Sequence, residues 1–406
     1  MRIKRTLLTI TIVLSLALVF GVAGVAQDEK PIKVGAVNPL TGPLASWGEP
    51  VTNGLELGVK HLNQAGGPLG REIQMLVRDT KTDATTGSSA ARNLVDVNNV
   101  PVILGPLATT SAVAIAEGVT IPNEVVQISS CTGIPYSNLE DSDYAFRTSA
   151  PDSYQGKLLG ELAWDVGYKK LGVLYVKNQY GEGLANSAVE AFEAKGGEVL
   201  NEVSFAGGRS SYRGELNAVT NGNPDAVLII GFPENVITIV RQSLKAQIID
   251  NFLFGDAMYG QDIIDRAGGA RLDGTYGVAA GTFDTPSLST FAEEYEKEFG
   301  KKPDKSFIAN NYDAAVVMGL AIQHAGKPTS EAVRDSLREV ANPPGEKIYA
   351  GANEIEKGFN LLSQGEEINY VGASGPIDFD KNGDVTSPMQ VFNVKDGELV
   401  RERTIE

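Results

Sequence analysis

The chain has 406 residues, a formal net charge of −16, one cysteine and two histidines. Such an acidic chain is poorly suited to bind nucleic acid or an anionic membrane, because their phosphates would repel it. The single cysteine, Cys131, excludes an internal disulfide, and one Cys with two His is too few for a structural zinc site.

Residues 1–26 have the pattern of a secretory signal peptide. Three basic residues precede an apolar run from Leu7 to Phe20, and small residues precede a cleavage site after Ala26. Cleavage leaves 32 Lys and Arg against 51 Asp and Glu. We therefore predict a mature protein outside the cytoplasm, in a periplasm. The alternative is an uncleaved membrane anchor.

From Ile32 onward, short strand-like runs alternate with helix-like stretches. The first strands are predicted at 32–37, 73–79, 102–104 and 125–129. Helices are predicted between them at 51–64, 85–97 and 111–118. Alternation of this kind predicts right-handed βαβ units and a mostly parallel sheet covered on both faces.

The alternation starts again after residue 151. Strands are predicted at 171–176, 198–205, 226–230, 252–254 and 276–279. Helices are predicted at 154–164, 183–194, 212–219, 234–246 and 261–267. Three helical stretches then follow in succession, at 288–299, 308–325 and 330–340. Because this run does not fit two consecutive domains, we expect it to return to the first one.

Three hydroxyl residues, Thr109, Thr110 and Ser111, open a predicted helix after a strand and a Gly-Pro turn. Hydroxyls at this position commonly cap a helix by accepting its free N–H groups. The same hydroxyls and amides, with the helix dipole, can instead bind an anion. From the residues alone, capping is the favoured interpretation.

Several stretches, in their order and spacing, resemble one known family. They are IKVGAVNPLTGPLASWG (32–48), LGPLATTS (104–111), QYGEGL (179–184) and GPIDFDKNGD (375–384). The mature chain is similar throughout to type I periplasmic binding proteins, in the leucine/isoleucine/valine-binding branch that serves ABC transporters.

The resemblance implies an α/β protein of two lobes, each a mostly parallel sheet flanked by helices, joined by three crossovers. Lobe one would comprise 27–149 with 280–385, and lobe two 150–279 with 386–406. The ligand would bind in the cleft between them. Ligands of open α/β sheets lie beyond the carboxyl ends of the strands, so the loops after strands are the expected site.

In the resembling family, the loop matching Ala108, Thr109 and Thr110 binds the α-carboxylate of an amino acid. The resemblance therefore favours anion binding at Thr109 over capping. The next loop, with Ser130, Cys131 and Thr132, would contribute backbone groups and a hydroxyl. Cys131 and Gly133 depart from the commoner family pattern, and the Cys131 thiol itself is expected to be buried and inert.

Asp256 matches the acidic residue that binds the ligand's ammonium group, although a turn aspartate is the alternative. Trp47, Tyr180 and Phe232 match aromatic wall positions, with ordinary packing as the alternative, above all for Phe232. Asp152, just after the first crossover, is a further candidate for a polar contact.

The resemblance implies a monomeric binding protein, not an enzyme, that captures a small branched-chain or aliphatic amino acid and delivers it to an ABC permease. No catalytic residue, cofactor or metal is expected. The segment 378–384 resembles the start of a calcium loop, but Met389 occupies the place of the bidentate Glu. Alternatives are another ligand (an amide, urea, an aromatic acid or a short peptide) or the ligand-sensing domain of a receptor.

Overall fold

A computed structural model of the chain describes residues 30–405. The signal peptide predicted for residues 1–26 lies outside this range. Within it, no helix is both long and apolar enough to cross a membrane.

Fourteen β-strands lie within residues 30–405. They are β1 (Ile32–Asn38), β2 (Ile73–Asp79), β3 (Val102–Leu104), β4 (Val126–Ser129), β5 (Ala145–Arg147), β6 (Lys170–Val176), β7 (Glu198–Phe205), β8 (Ala226–Ile230), β9 (Phe252–Phe254), β10 (Tyr276–Ala280), β11 (Glu346–Ile348), β12 (Ile368–Tyr370), β13 (Met389–Lys395) and β14 (Glu398–Ile405).

Thirteen α-helices lie between these strands in the described range. They are α1 (Ala45–Gln64), α2 (Ala84–Arg92), α3 (Thr109–Ile115), α4 (Ile134–Ser137), α5 (Asp152–Asp165), α6 (Gln179–Ala194), α7 (Arg213–Val219), α8 (Pro233–Ala246), α9 (Gln261–Ala267), α10 (Pro286–Phe299), α11 (Ile308–Ala325), α12 (Ser330–Ala341) and α13 (Ala352–Ser363).

The first sheet has five strands in the order β2-β1-β3-β4-β5, and all of its pairs are parallel. Its strands β3 and β4 are fully buried, as expected for a parallel sheet covered by helices on both faces. The strand order reverses between β1 and β3. The loops after these two strands therefore separate and leave a crevice beyond their carboxyl ends.

The second sheet has seven strands in the order β14-β13-β10-β9-β8-β6-β7. The five strands from β6 to β10 pair in parallel, and β13 and β14 add an antiparallel hairpin at one edge. Here the order reverses between β6 and β8, which makes a second crevice of the same kind. The remaining small sheet is a parallel pair, β11 with β12.

Each large sheet has its own apolar core, and we call each sheet with its helices a lobe. The helices α10 to α13 contribute to the core of the first lobe, as the helical run in the sequence suggested. The central α11 packs against α1, where Gly54 and Gly58 permit close approach. A Cβ on Gly54 would lie 2.4 Å from the carbonyl oxygen of Ile308.

The chain passes between the lobes three times. The passages follow β5, β10 and β12, because β13 returns to the second sheet. The fold class expected from the sequence is thus confirmed. Sheet membership supports, as a proposal, the lobe boundaries 27–149 with 280–385 and 150–279 with 386–406.

Several expected elements differ in length from those observed. The helix expected at 51–64 begins at Ala45 and contains Pro50, which has no backbone N–H for the carbonyl of Ser46; Nζ of Lys305 donates to that carbonyl instead (2.8 Å). The helix expected at 85–97 changes to π-helical geometry at Asn93. Strands β5 and β11 to β14 and helices α4 and α13 were not predicted.

Candidate functional site

The loops at the carboxyl ends of both sheets face each other across one cleft. From the first lobe come the segments after β1, β3 and β4, and from the second lobe those after β6, β8 and β9. Both crevices created by the reversal of strand order thus open into the same cavity.

This cavity has a volume of about 320 Å³ when its open mouth is included. Even with that open space counted the cavity is small, so it suits a small ligand. The cavity is lined by Leu44, Trp47, Leu107, Ala108, Thr109, Thr132, Tyr180, Phe232, Asp256, Ala257 and Phe307.

Thr109 is the first residue of α3, and its side chain is buried in the cavity wall. Its Oγ1 accepts a hydrogen bond of 3.1 Å from the backbone N–H of Gly133. A hydroxyl has one proton to donate and two lone pairs. Because Oγ1 acts as acceptor toward Gly133, its proton remains available for an anionic group in the cavity.

Gly133 permits this contact because it has no side chain. A Cβ built on Gly133 would lie 2.1 Å from Cγ2 of Thr109, well inside van der Waals contact. The departure from the family pattern noted at Gly133 is therefore a requirement of the local packing. Any larger residue would separate the loop after β4 from the start of α3.

Asp256 follows β9 and has defined polar partners in the second lobe. Its Oδ1 accepts hydrogen bonds from the Tyr180 hydroxyl (2.6 Å) and from Nε2 of Gln155 (3.2 Å). Burial raises the pKa of Asp256, and the hydrogen bonds from Tyr180 and Gln155 oppose that rise. This carboxylate is held in place but is not charge-compensated by any described residue.

Asp152, the first residue of α5, is fully buried, and neither carboxylate oxygen has a hydrogen-bond partner among residues 30–405. Burial raises its pKa well above the usual value, and the negative charge of Asp256 raises it further, while the adjacent Thr132 side chain, which lies outside hydrogen-bond geometry, and the Arg147 cation oppose the rise. Two buried carboxyl groups thus interact, and the guanidinium of Arg147, whose charge also acts on Asp152, makes its ion pair with Asp384 instead. A buried polar group without a partner is costly, which is why this pair is the least satisfied part of the site.

The rest of the wall is apolar and largely aromatic. Tyr180 and Phe232 stack with ring centroids 5.6 Å apart and planes 9° apart. Across the cleft, Trp47 packs on Phe307 at 5.7 Å. The indole Nε1 of Trp47 donates to the carbonyl oxygen of Ala257 (3.1 Å), which joins the two lobes across the cavity.

Polar contacts also join the lobes at the mouth of the cleft. Ser46 of the first lobe donates to Glu234 of the second (2.7 Å) and accepts from Arg266 (2.9 Å). Nearby, Nζ of Lys305 lies 3.0 Å from a carboxylate oxygen of Asp262. The structure therefore represents a closed arrangement of the lobes.

Of the ten residues predicted to bind ligand, the structure places seven at the cavity: Trp47, Ala108, Thr109, Thr132, Tyr180, Phe232 and Asp256. The other three, Thr110, Ser130 and Cys131, lie outside its wall. Ser130 accepts a hydrogen bond from Asn311 instead (2.9 Å). Cys131 is buried, and desolvation raises the pKa of its thiol to about 11, so the thiol stays protonated.

Four cavity residues were not predicted from the sequence. Leu107 and Ala257 adjoin predicted residues, and Leu44 follows the Gly-Pro turn after β1, so their positions offered a signal. Phe307 offered none, because it comes from the loop before α11, far along the chain. Its φ of 67° is unusual for a bulky residue and turns the chain into α11 beside Trp47.

The segment that resembles a calcium loop is a hydrogen-bonded turn. Oδ1 of Asp380 accepts from the backbone N–H groups of Asn382 (2.7 Å) and Asp384 (3.0 Å). Asp384 itself pairs with Arg147 at 2.6 Å. Within residues 30–405, no group of three or more His, Cys, Asp or Glu is arranged to hold a metal ion.

A fold of two lobes around a buried cleft with polar groups at its wall is that of a solute-binding protein. Residues 31–398 match the family model described as periplasmic binding protein. The chain belongs to this family of binding proteins, which confirms the resemblance found in the sequence.

Three similar proteins illustrate the relationship. The chain is 27% identical over 377 residues to Leu/Ile/Val-binding protein homolog 7 of Brucella melitensis, covering 86% of this chain and 90% of the relative. It is 25% identical over 357 residues to the chemotactic signal transduction system substrate-binding protein BasB of Halobacterium salinarum, covering 86% and 83%. The crystal structure of the leucine-binding protein LivK of Thermotoga maritima has a TM-score of 0.79 at 25% identity, covering 92% and 99%.

Proposed function

We propose that this protein captures a small amino acid, branched-chain or otherwise aliphatic, in the cleft between its lobes. It then delivers the amino acid to the membrane permease of an ABC importer. Residues 27–406 would act outside the cytoplasm, after removal of a signal peptide, as a monomer and without catalysis.

The observation that carries this proposal is the unpartnered carboxyl of Asp152 beside Asp256. Both side chains are buried, and Asp256 lies in the cavity wall. An ammonium group between them would supply a cation in direct contact and the missing hydrogen-bond donors. We therefore assign the positive end of the ligand to this side of the cleft.

Thr109 supports the assignment of the negative end. Its hydroxyl proton is free to donate, because Oγ1 already accepts from Gly133. A hydrogen bond to a carboxylate is charge-assisted and stronger than one between neutral groups. An amino acid has both charges on one carbon, so it would bridge the two lobes as they close.

The apolar wall defines the class of side chain. Leu44, Leu107, Phe232 and Phe307 present apolar surface to the cavity. Burying an aliphatic side chain there contributes about 1.5–3 kcal/mol. The small size of the cavity favours a single amino acid over a short peptide.

Ligands without a cationic group fit the second lobe less well. An aromatic acid, for example, would bring a third carboxylate into a site where Asp152 and Asp256 already repel each other. Urea and simple amides are neutral and would leave that repulsion uncompensated. These ligands remain the alternatives that the binding experiment has to distinguish.

Titration calorimetry on residues 27–406 tests the proposal with paired probes. We expect L-leucine, L-isoleucine or L-valine to bind, and 4-methylpentanoate, the analogue of leucine without an amino group, to bind several hundredfold more weakly. At a hundred times its dissociation constant, the best amino acid should add about 2.7 kcal/mol to the free energy of unfolding. Preference for benzoate or 4-methylpentanoate would refute the amino-acid assignment.

The delivery step has a separate test. Uptake of the labelled amino acid by cells should fail when this protein or its permease is removed. The similarity to BasB favours one second candidate, in which the loaded protein signals to a chemotaxis transducer. In that case, removal would abolish the chemotactic response to the amino acid and leave its uptake intact.

A further inference from the structure

Arg147 is the last residue of β5, and its guanidinium is completely buried at the junction of the lobes. Its Nε donates to Asp384 at 2.6 Å. Its Nη1 donates to the carbonyl oxygens of Gly133 (3.1 Å) and Cys131 (3.4 Å), and its Nη2 donates to the Ser137 hydroxyl. Four groups from three segments therefore surround one planar cation.

We propose that Arg147 is a positioning residue for ligand binding. It holds the loop 130–133 so that Gly133 contacts Thr109 and the Thr109 hydroxyl points its proton into the cleft. This inference rests on the proposed function, because it assigns Arg147 an effect on the carboxylate end of the ligand. Arg147 itself does not line the cavity.

The chain of contacts is continuous. The guanidinium fixes the carbonyl of Gly133, and the N–H of the same residue donates to Oγ1 of Thr109. A second residue, Ser149, holds the same loop by donating to the carbonyls of Ser130 (3.0 Å) and Cys131 (2.9 Å). The loop's carbonyls are thus bound on the side away from the cleft.

Arginine is chemically suited to this role in a way that lysine is not. Its planar fork offers five N–H donors in fixed directions, so it can bind Asp384 and two carbonyls together. The compact ammonium of lysine would keep the charge pair with Asp384 but could not hold both carbonyls in the same geometry. Arg147→Lys therefore separates the charge from the positioning function.

Arg338→Lys provides the matched control. Arg338 also holds the turn that contains Asp384, since its Nε and Nη2 donate to the carbonyl of Asp380. It makes no hydrogen bond to the loop 130–133. Both variants thus loosen the same neighbourhood, but only Arg147→Lys releases the ligand loop.

Hydrogen exchange on the ligand-free protein gives the first readout. We expect Arg147→Lys to increase the exchange rate of amides 131–133 about tenfold relative to wild type, and Arg338→Lys to leave it unchanged. Equal rates in the three proteins would overturn the proposal. Because no ligand is present, this result does not depend on the proposed function.

Calorimetry with L-leucine gives the second readout. Arg147→Lys should weaken binding about tenfold, the usual effect of losing one charge-assisted hydrogen bond. Combined with Thr109→Val, it should add little to the loss caused by Thr109→Val alone, because both changes disable the same hydroxyl. If the double variant weakened L-leucine binding by the product of the two single losses, the inference would be contradicted.

Two further results separate the possible failures. If wild type does not bind L-leucine, the proposed function fails, and hydrogen exchange still decides the role of Arg147. If Arg147→Lys does not fold, the double variant Arg147→Gln/Asp384→Asn removes both buried charges together and is compared in the same two measurements. Unchanged exchange in that variant would likewise overturn the proposal.

Discussion

The hydroxyl of Tyr180 donates a hydrogen bond of 2.6 Å to Oδ1 of Asp256, the shorter of the two side-chain hydrogen bonds this carboxylate accepts. Burial and the nearby negative charges of Asp256 and Asp152 raise the pKa of Tyr180, so the phenol stays protonated and acts as the donor. This hydrogen bond thereby orients the carboxylate.

Asp256→Asn keeps this geometry and removes the charge. If Asp256 binds an ammonium, the cation of the ligand is left buried with a weaker partner, which typically costs about 3–5 kcal/mol. We expect L-leucine binding to weaken several hundredfold or more, measured by calorimetry, and 4-methylpentanoate binding to change little. Equal losses for both probes, or an unfolded variant, would indicate a structural role for Asp256.

Tyr180→Phe should change the pH dependence of binding. Amino-acid binding needs ionised carboxyl groups, so affinity should rise with pH through the raised pKa of the Asp152–Asp256 pair and then level off. The Tyr180 hydrogen bond lowers the pKa of Asp256, so its loss should move the midpoint upward. Stacking on Phe232 is retained. Calorimetric titrations between pH 4 and pH 9 would measure the shift, and an unchanged midpoint would contradict it.

Asp152→Asn should stabilise the ligand-free protein and weaken binding. The folded-state pKa of Asp152 lies above its unfolded value, so the stability present at low pH is lost as pH rises through the folded pKa. The neutral variant avoids this loss. At alkaline pH its free energy of unfolding should therefore exceed that of wild type by about 1–3 kcal/mol. Thermal unfolding at pH 5 and pH 8 should show an advantage for the variant that grows with pH. If the stability advantage of the variant became smaller as the pH rises, a group other than Asp152 would cause the pH dependence of stability.

Gly133→Ala should weaken binding through a clash with Thr109. The new methyl group would meet Cγ2 of Thr109 at 2.1 Å, so the loop must move, at a cost of about 1–3 kcal/mol. Gly183→Ala is the control, because a Cβ there has no neighbour closer than 3.7 Å and lies within α6. We expect that control to be neutral or to stabilise the helix by up to about 1 kcal/mol. Similar affinities for L-leucine in the two variants would refute the close contact.

Glu234→Gln should favour the open protein. Glu234 joins Ser46 and Arg266 at the mouth of the cleft. Because this pair is partly exposed, the expected effect is modest, an about two- to fivefold faster release of L-leucine in stopped-flow measurements. Small-angle scattering should show a larger ligand-free particle. Glu215→Gln, which breaks the exposed pair of Glu215 with Arg209 within the second lobe, should leave both measurements unchanged.

Much of the fold could be predicted from the sequence. Parallel strands buried on both faces are continuous apolar runs between helical stretches, so β3 and β8 could be identified by composition alone. The hairpin of β13 and β14 was missed. Its outer strand is nearly all exposed and carries charged residues, so it lacks the apolar pattern by which strands are recognised.

The individual loops of the site were also determined by the sequence, because each follows a buried strand at a position where ligands bind. The tertiary structure decided which of their residues meet. Only packing of the first lobe brings Phe307 beside Trp47, and only the second lobe brings Asp152 near Asp256, more than a hundred residues away along the chain. The unpartnered state of Asp152 and the role proposed for Arg147 depend on such long-range contacts. Local residue patterns report propensity and burial, whereas charge compensation depends on neighbours that the chain brings together only when it folds.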